Sequence, residues 1–414
     1  MKKWGIFLLP LAAIAVAMIG PSPAHTAKLD QAAAKPAAQS ATQAPAAPAG
    51  ALTIGGEVPV VLIRAPLSDK SHPFFRQATV LPGEGMNLVQ LKAFLPGKGE
   101  VNVLTTKTLP EVKKYFEADN DAFGNNNFRI GGAILLPYPN RIRGTLSADG
   151  KTLQTNVAGQ MISLPANWHG QNPGAEVHAM HGLIMTSAFQ DVQRDTSKDG
   201  ASVSAVLHAG DFGGHWPSKT DVNVKMTLTS DALEMNVTTT NVGDQPLPMA
   251  IGFHPYFEFP SGDRKQARLH IPADTRAIVN NYDDVFPTGQ LVPVKGTPYD
   301  FTAPGGVALG NLFMDDCFTN LRKNRAGSAV IEILDPAVKY GVRITTLSPE
   351  IKAIQVYAPP DKNFVAVEPQ FNLADPYSKV WGGTDTGMVT LAPGKSVSWR
   401  IRIEVFTPAV AAQQ

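Results

Sequence analysis

Residues 222–237, VNVKMTLTSDALEMNV, alternate apolar and polar side chains on both sides of Ser230-Asp231. A strand with a period of two buries one face and exposes the other, so this alternation indicates two half-buried strands. The short polar step at Ser230-Asp231 is typical of a hairpin turn. Residues 397–405, VSWRIRIEV, repeat the alternation near the C-terminus. The sequence therefore predicts antiparallel sheets that bury one of their faces.

Helical signals are few, and turn-forming residues are frequent. The chain contains 36 glycines and 34 prolines, which fits many short strands joined by turns. The strongest helical signal is the capping box Thr108-Leu109-Pro110-Glu111, which predicts a short helix ending at about Ala118. No long segment has a 3.6-residue period, and no internal repeat is evident. The predicted fold class is all-β, a large antiparallel β-sandwich.

The composition bears on the size of the core and on the kinds of partner to expect. The chain has 414 residues, a formal net charge of +1, 17% charged residues and 43% apolar residues. The apolar content is enough for a large core, and the near-zero charge gives no electrostatic reason to expect nucleic acid or an anionic membrane as a partner. Nothing in these numbers indicates the oligomeric state.

The N-terminus has the pattern of a secretory signal. Lys2 and Lys3 precede an apolar run of about 16 residues, Trp4–Ile19, and a stretch of small residues follows up to Ala27. The alternative is a membrane anchor, but the run is shorter than the roughly 20 residues that span a bilayer. We therefore expect a signal peptide over residues 1–27, cleaved after Ala24 or Ala27, and an exported, periplasmic protein without membrane attachment after cleavage.

The remaining chain divides into a linker, one large domain and a short tail. Residues 28–51 are rich in alanine and proline and contain few large apolar residues, which predicts a disordered tether. The β-sandwich domain is expected over residues 52–408, and residues 409–414 form the tail. The only cysteine is Cys317, so no intramolecular disulfide can form, and we expect this residue to be a small buried apolar side chain.

Common nucleotide, zinc and hydrolase motifs are missing from the sequence. It has no P-loop, no dinucleotide fingerprint, no zinc-ligand spacing and no Gly-x-Ser-x-Gly elbow. His178 and His181 have a spacing that could hold a metal ion, but two histidines without further ligands are weak evidence. We expect no metal and no cofactor.

Four short segments place one polar side chain among apolar or turn residues. They are Pro139–Ile142 (PNRI), His181–Leu183 (HGL), Gly252–Phe257 (GFHPYF) and Val367–Gln370 (VEPQ). Burial raises the pKa of a carboxyl group and lowers that of an imidazole, so Glu368 and His254 are both expected to be shifted toward their neutral forms. Taken singly, each could be a core histidine bonded to the backbone or a glutamate in a salt bridge.

Taken together, these segments resemble the motifs of the aldose 1-epimerases, also called galactose mutarotases. The longest similar stretch is residues 216–257, which contains MTLTSDALEMNVTTTNVGDQPLPMAIGFHPYF, whereas residues 55–130 are only loosely similar. The resemblance implies the supersandwich fold of that family. It also implies an enzyme that interconverts the α and β anomers of a free aldose by opening and closing the sugar ring, without a cofactor.

The resemblance assigns a role to seven residues. Glu368 matches the general base that removes the proton of the C1 hydroxyl, and His254 matches the general acid that protonates the ring oxygen. The residues that match substrate-binding positions are Asn140, Arg141, His181, Asp315 and Gln355, with Asp316 as the alternative to Asp315. A carboxylate and an imidazole with pKa values near neutrality suit this acid–base chemistry.

The sequence departs from the family pattern in two places. An extra loop around Pro165–Val177, which contains Trp168 and His169, could line the sugar pocket, and Leu183 stands where a second glycine is common. The form of the Gly252–Phe257 segment is also similar to relatives that act on hexose 6-phosphates, although export argues against such substrates. Two other functions stay open: a non-catalytic carbohydrate-binding protein, and a glycoside hydrolase, which needs two carboxyl groups.

Overall fold

The computed structural model describes residues 50–408. The expected signal peptide, most of the expected tether and the tail lie outside the described residues, so those predictions stay predictions. Within residues 50–408, no helix combines the length and the apolar character needed to cross a bilayer.

The first two fifths of the described chain contain ten strands and one α-helix. The strands are β1 (Val60–Ile63), β2 (Phe74–Leu81), β3 (Asn87–Leu95), β4 (Gly99–Asn102), β5 (Gly132–Leu135), β6 (Arg141–Ile142), β7 (Thr145–Leu146), β8 (Thr152–Val157), β9 (Gln160–Pro165) and β10 (Ala179–Met180). The helix is α1 (Leu109–Phe116), and a 3-10 turn follows at Asn125–Arg129.

The rest of the described chain is built almost entirely from strands. They are β11 (Gln190–Thr196), β12 (Ala201–Gly210), β13 (Thr220–Leu228), β14 (Ala232–Asn241), β15 (Leu247–Met249), β16 (Gly252–Glu258), β17 (Arg268–His270), β18 (Ala273–Val279), β19 (Pro287–Pro293) and β20 (Val307–Ala308). The last strands are β21 (Met314–Leu321), β22 (Val330–Asp335), β23 (Tyr340–Thr346), β24 (Ala353–Ala358), β25 (Phe364–Gln370), β26 (Val389–Leu391) and β27 (Ser396–Phe406). Two further 3-10 turns lie at Pro336–Val338 and Lys379–Trp381.

Two large antiparallel sheets dominate the domain. The nine-stranded sheet has the order β11-β12-β13-β14-β27-β23-β22-β17-β20, and the seven-stranded sheet has the order β19-β18-β21-β24-β25-β16-β5. A four-stranded sheet, β1-β2-β3-β4, and three smaller sheets complete the domain. This architecture confirms the predicted fold class, an all-β antiparallel sandwich.

The predicted hairpin is formed by β13 and β14. Leu228 pairs with Leu233, and the turn between them is closed because the Ala232 amide donates to the Thr229 hydroxyl oxygen at 2.9 Å. The burial of β13 alternates residue by residue, as the sequence pattern predicts. The predicted C-terminal strand lies beside this hairpin, because β27 pairs with β14.

The predicted helix is also present, and it ends two residues earlier than expected. Glu111 accepts hydrogen bonds from both the Thr108 amide, at 2.9 Å, and the Thr108 hydroxyl, at 2.6 Å. Pro110 stands in the first turn, where its missing amide proton costs nothing. Val112 and Phe116 are buried, so the helix covers a small apolar cluster beside the main core.

The main core lies between the two large sheets. Trp399 of β27 and Phe253 of β16 are both fully buried, and their ring centroids are 6.1 Å apart. The Trp399 indole also donates to the Pro369 carbonyl at 3.1 Å. One side chain of the nine-stranded sheet therefore contacts both β16 and the end of β25 in the opposite sheet.

We expect Trp399→Ala to lower the free energy of unfolding by about 3–5 kcal/mol, because it leaves a large cavity between the sheets and removes the partner of a buried carbonyl. Arg400→Ala is the matched control: the Arg400 side chain is exposed on the other face of the same strand and should change stability by no more than about 0.5 kcal/mol. Denaturant unfolding followed by circular dichroism measures both. Equal effects of the two variants would contradict this account of the core.

Candidate active site

All seven residues assigned a role from the sequence line one cavity of about 640 Å³. They come from distant parts of the chain: Asn140 and Arg141 at the start of β6, His181 after β10, His254 in β16, Asp315 in β21, Gln355 in β24 and Glu368 in β25. The structure thus brings them together, while their chemical roles stay predictions.

The pleat of the seven-stranded sheet explains why these polar side chains share a face. Successive residues of a strand point to opposite faces. Phe253 and Val367 are fully buried in the main core, so their neighbours His254 and Glu368 point to the other face, which carries the cavity. Gln355 pairs directly with Glu368 across β24 and β25, so it points to the same face.

His254 and Glu368 form a buried pair at the inner end of the cavity. The distance from His254 Nε2 to Glu368 Oε1 is 3.4 Å, and the two residues are only 4% and 2% exposed. Their remaining polar atoms, His254 Nδ1 and Glu368 Oε2, are buried without a hydrogen-bond partner in the protein. Buried polar atoms without partners are uncommon in native proteins, so we interpret these two as atoms available to a ligand.

Burial shifts the pKa values of the two groups in opposite directions. It lowers the pKa of the His254 imidazole to about 3, with a smaller contribution from the positive charge of Arg141. It raises the pKa of the Glu368 carboxyl well above its usual value, and the negative charge of Asp315 raises it further. A neutral imidazole beside a neutral carboxyl group carries the same number of protons as an imidazolium beside a carboxylate. The pair therefore holds one transferable proton in either form.

Four polar side chains beside this pair form a closed hydrogen-bonded ring. Asn140 Nδ2 donates to Gln355 Oε1 at 3.0 Å, and Gln355 Nε2 donates to Asp315 Oδ1 at 2.6 Å. The ring closes because Arg141 donates to Asn140 Oδ1 at 2.9 Å and to Asp315 Oδ2 at 3.4 Å. Each member holds its neighbours in position, so the charged donors and acceptors are preorganised before a ligand enters.

His181 enters the site from a tight turn. Its φ is +63°, and its amide donates to the Asn140 carbonyl at 2.8 Å. Gly182 follows with φ +82°, and a Cβ atom at this position would lie 2.1 Å from the Leu136 carbonyl oxygen. Only glycine fits there, which explains the glycine after the histidine. The His181 ring lies 4.9 Å from the His254 ring, and burial keeps its pKa well below the usual value.

The structure separates Asp315 from its alternative, Asp316. Asp315 lines the cavity, whereas Asp316 is fully buried and points to the opposite face of β21. Asp316 forms an ion pair with Arg276 and accepts a hydrogen bond from the Tyr282 hydroxyl at 2.9 Å. We therefore take Asp315 as the candidate for sugar binding and Asp316 as a structural residue.

His178 does not share the cavity with His181. Its ring packs against Phe286 with a centroid distance of 5.0 Å, and its Nδ1 lies 2.9 Å from the Glu176 carbonyl oxygen. Over residues 50–408, no group of three or more His, Cys, Asp and Glu side chains is arranged to hold a metal ion. Cys317 is buried, as expected for a small apolar side chain.

The extra loop after β9 lines one side of the cavity. Trp168 and His169 both face it, as the sequence suggested. The loop is held by Asp283, a residue that the sequence analysis did not single out. The Asp283 carboxylate accepts hydrogen bonds from the amides of Gln171, at 2.8 Å, and Asn172, at 3.2 Å.

Two further features fit this contact between the loops. A Cβ atom at Gly170 would lie 2.4 Å from the Asp283 carboxyl carbon, so a larger residue there would have to displace the Asp283 side chain. The carboxylate of the next residue, Asp284, accepts a hydrogen bond from the Glu176 amide at 2.8 Å. Two separate carboxylates therefore hold the loop. The adjacent acidic residues in the segment Asn280–Asp284 (NNYDD) are the only sequence signal for this role.

Phe128, which lies in the 3-10 turn Asn125–Arg129, also lines the cavity and was not expected from the sequence. Its ring is 4.7 Å from the His181 ring and 5.7 Å from the His254 ring. An apolar ring against both imidazoles contributes to the desolvation that lowers their pKa values. No local pattern in the sequence distinguishes this phenylalanine from others in the core.

Comparison with known proteins gives one family. Residues 103–404 match the sequence profile of the family described as Aldose 1-epimerase. A maltose epimerase from Levilactobacillus brevis is 26% identical over 159 residues, which are 38% of this chain and 44% of that protein. The alignment thus spans less than half the length of this relative.

Solved structures share the fold. A galactose mutarotase-like protein from Clostridium acetobutylicum superposes with a TM-score of 0.65 at 21% identity, covering 84% of this chain and 99% of that protein. A galactose 1-epimerase from Lactobacillus acidophilus gives a TM-score of 0.57 at 17% identity, covering 84% of this chain and 98% of that protein.

We expect Asp283→Ala to release the loop after β9, because two backbone amides lose their acceptor while the contact made by Asp284 remains. Amide hydrogen exchange at residues 171 and 172 should become faster, with a smaller change at residue 176. Asp244→Ala, in an exposed turn elsewhere, is the matched control and should leave this loop unchanged. Exchange in Asp283→Ala as slow as in the wild type would show that the carboxylate does not hold the loop.

Proposed function

Because the chain belongs to the aldose 1-epimerase family, we propose that it interconverts the α and β anomers of a free aldose in the cavity described above. The observation that carries this proposal is the buried pair of His254 and Glu368, 3.4 Å apart, with one free polar atom on each side chain. Anomerisation needs one group that accepts a proton and another that donates one, and this pair supplies both.

The proposed reaction begins with removal of a proton from the C1 hydroxyl. The reacting form of the pair has its transferable proton on His254, so Glu368 is a carboxylate and accepts the C1 hydroxyl proton as the electron pair of the O–H bond forms the C1 carbonyl. The bond between C1 and the ring oxygen breaks, and His254 delivers a proton to that oxygen. Rotation about the C1–C2 bond exposes the other face of the aldehyde, and the same two groups act in reverse during ring closure. The enzyme returns to its starting proton count after each turnover.

The closed ring of Asn140, Gln355, Asp315 and Arg141 is suited to hold sugar hydroxyls beside this pair. Charged donors and acceptors make stronger hydrogen bonds than neutral ones, and vicinal hydroxyls offer both kinds of partner. In the proposed mechanism His181, whose Nδ1 is buried without a partner, hydrogen-bonds the sugar near the reacting oxygens. Holding the sugar in one pose makes the proton transfers effectively intramolecular.

The alternatives have less support from the same geometry. A glycoside hydrolase needs two carboxyl groups that flank the bond, but Asp315 is engaged by Gln355 and Arg141, and Glu368 faces a histidine. A non-catalytic binding protein would not need a buried acid–base pair with raised and lowered pKa values. The similarity to a maltose epimerase supports a substrate with a free anomeric hydroxyl, a condition that monosaccharides and reducing disaccharides both meet.

Polarimetry of freshly dissolved α-glucose and α-galactose tests the proposal directly. The wild-type protein should accelerate mutarotation, and Glu368→Gln and His254→Asn should each lower kcat by about 10²–10⁴-fold, the usual contribution of a general acid or base. Glu258→Gln, at the end of the same strand as His254, is the control for Glu368→Gln and should keep its activity.

The same assays distinguish the two alternative functions from the epimerase. Sugar binding without faster mutarotation would favour the binding protein, and new reducing ends released from an oligosaccharide would favour the hydrolase. Full activity of either pair variant, with a circular dichroism spectrum like that of the wild type, would remove that residue from the mechanism.

The pKa shifts of the pair predict how the rate depends on pH. A solvated histidine loses its proton near pH 6.5, which would end the supply of a transferable proton above that pH. Here burial lowers the pKa of His254 to about 3 and raises that of Glu368 well above 4.5. The pair therefore gains a second proton only toward pH 3, and loses its single proton only above the raised pKa of Glu368.

We accordingly expect kcat/KM, corrected for the buffer-catalysed reaction, to show no fall toward low pH between pH 6 and pH 4.5, because the pair gains its second proton only toward pH 3. The measurement is the mutarotation rate at low sugar concentration across pH 4.5–8, with circular dichroism to check that the protein stays folded. A fall toward low pH within this range, with the protein still folded, would mean that the pair takes up its second proton well above pH 3, which contradicts the burial of His254 described here.

A further inference from the structure

Five aromatic side chains form a continuous wall of the cavity, which we call the aromatic wall. Its members lie in contact order Tyr256, Phe364, Tyr357, Phe313 and Tyr282, and all of them line the cavity. Successive ring centroids are 4.8, 6.3, 6.2 and 5.0 Å apart. The first ring lies 4.9 Å from the His254 ring, so the wall starts at the acid–base pair.

The aromatic wall leads from the buried end of the cavity to its mouth. Tyr256 is 7% exposed and Tyr282 is 41% exposed, and the three rings between them are half-buried. The polar groups that suit a reacting sugar ring are gathered at the buried end, around His254 and Glu368. The outer rings therefore contact neither of the groups that the proposed chemistry needs.

A further part of the cavity lining is also held in place before a ligand enters. Trp168 faces the cavity from the loop after β9, and the Arg129 guanidinium covers its ring at 5.2 Å. Asp283 fixes this loop through the amides of Gln171 and Asn172. The cavity lining thus includes one more aromatic side chain, on a loop that is held in place by hydrogen bonds.

A sugar ring has an apolar face of C–H groups as well as its hydroxyl rim, so aromatic rings suit its apolar face. A cavity of about 640 Å³ is larger than one hexopyranose ring fills, and its size falls within the usual range for larger ligands. We propose that the aromatic wall forms an outer subsite for a second sugar unit. The preferred substrates are then reducing disaccharides or longer oligosaccharides, whose reducing ring enters the buried end.

This inference rests on the proposed function, and a comparison of sugars in one assay tests it. The probes are glucose, maltose and lactose, each freshly dissolved as one anomer. For the wild type we expect kcat/KM to be about tenfold higher with a disaccharide than with glucose, a difference that corresponds to about 1.4 kcal/mol from stacking on the outer rings. The gain should appear in KM, because the outer unit takes no part in the proton transfers.

Phe313→Ala is the decisive variant, because Phe313 lies in the middle of the outer part of the wall. It should lower the ratio of disaccharide to glucose kcat/KM by about tenfold. Phe123→Ala is the matched control: Phe123 is 40% exposed and lines a different cavity, so the ratio should stay at the wild-type value. Titration calorimetry with maltose provides a second readout that does not depend on turnover.

The outcomes separate this inference from the proposed function. Accelerated glucose mutarotation without a preference for either disaccharide, or an unchanged ratio in Phe313→Ala, overturns the outer subsite and leaves the epimerase proposal standing. An absence of mutarotation for all three sugars, together with maltose binding that Phe313→Ala weakens, overturns the epimerase proposal and supports the subsite. An equal loss for glucose and disaccharides in Phe313→Ala shows a general structural effect and contradicts the subsite.

Discussion

The site depends on burying an imidazole and a carboxyl group against each other with almost no exposure to solvent. A single buried charge would be costly, but His254 and Glu368 together carry no net charge in either protonation form. Their proton can therefore move without creating an isolated charge in the interior. Arg141 and Asp315 form a second, separately balanced pair beside them. The local chemistry is thus built from groups whose charges cancel within the site.

The seven-stranded sheet makes this burial possible because its two faces have different tasks. One face packs against the nine-stranded sheet through side chains such as Phe253 and Val367, and the other carries His254 and Glu368. Along a strand, one residue therefore packs in the core and stabilises the fold, and the next one faces the cavity. Trp399 contributes to both, since it fills the core and donates to the Pro369 carbonyl next to Glu368. A change in the packing of Trp399 can therefore alter the position of Glu368, because Pro369 is the next residue in the chain.

The local parts of the fold could be predicted from the sequence because their signals are local. The hairpin around Ser230-Asp231 and the capping box at Thr108 each lie within a few neighbouring residues. The site residues could be named only through the family resemblance, since Asn140 and Gln355 are far apart in the chain. Choosing Asp315 over Asp316 required knowing which face of β21 carries the cavity. The contacts of Asp283 and the aromatic wall are made between loops and strands that are far apart in the chain. Periodic patterns in the sequence do not predict contacts of this kind.

The turn at His181 and Gly182 has a consequence for how this chain tolerates variation. The Leu136 carbonyl oxygen occupies the space that any side chain at position 182 would need. A larger residue would push the turn away and carry the preceding imidazole with it. The choice of residue at position 182 is therefore as restricted as at a position that contacts the sugar, although position 182 need not contact the sugar itself. Sequence drift in this part of the chain is therefore limited by a main-chain oxygen rather than by the ligand.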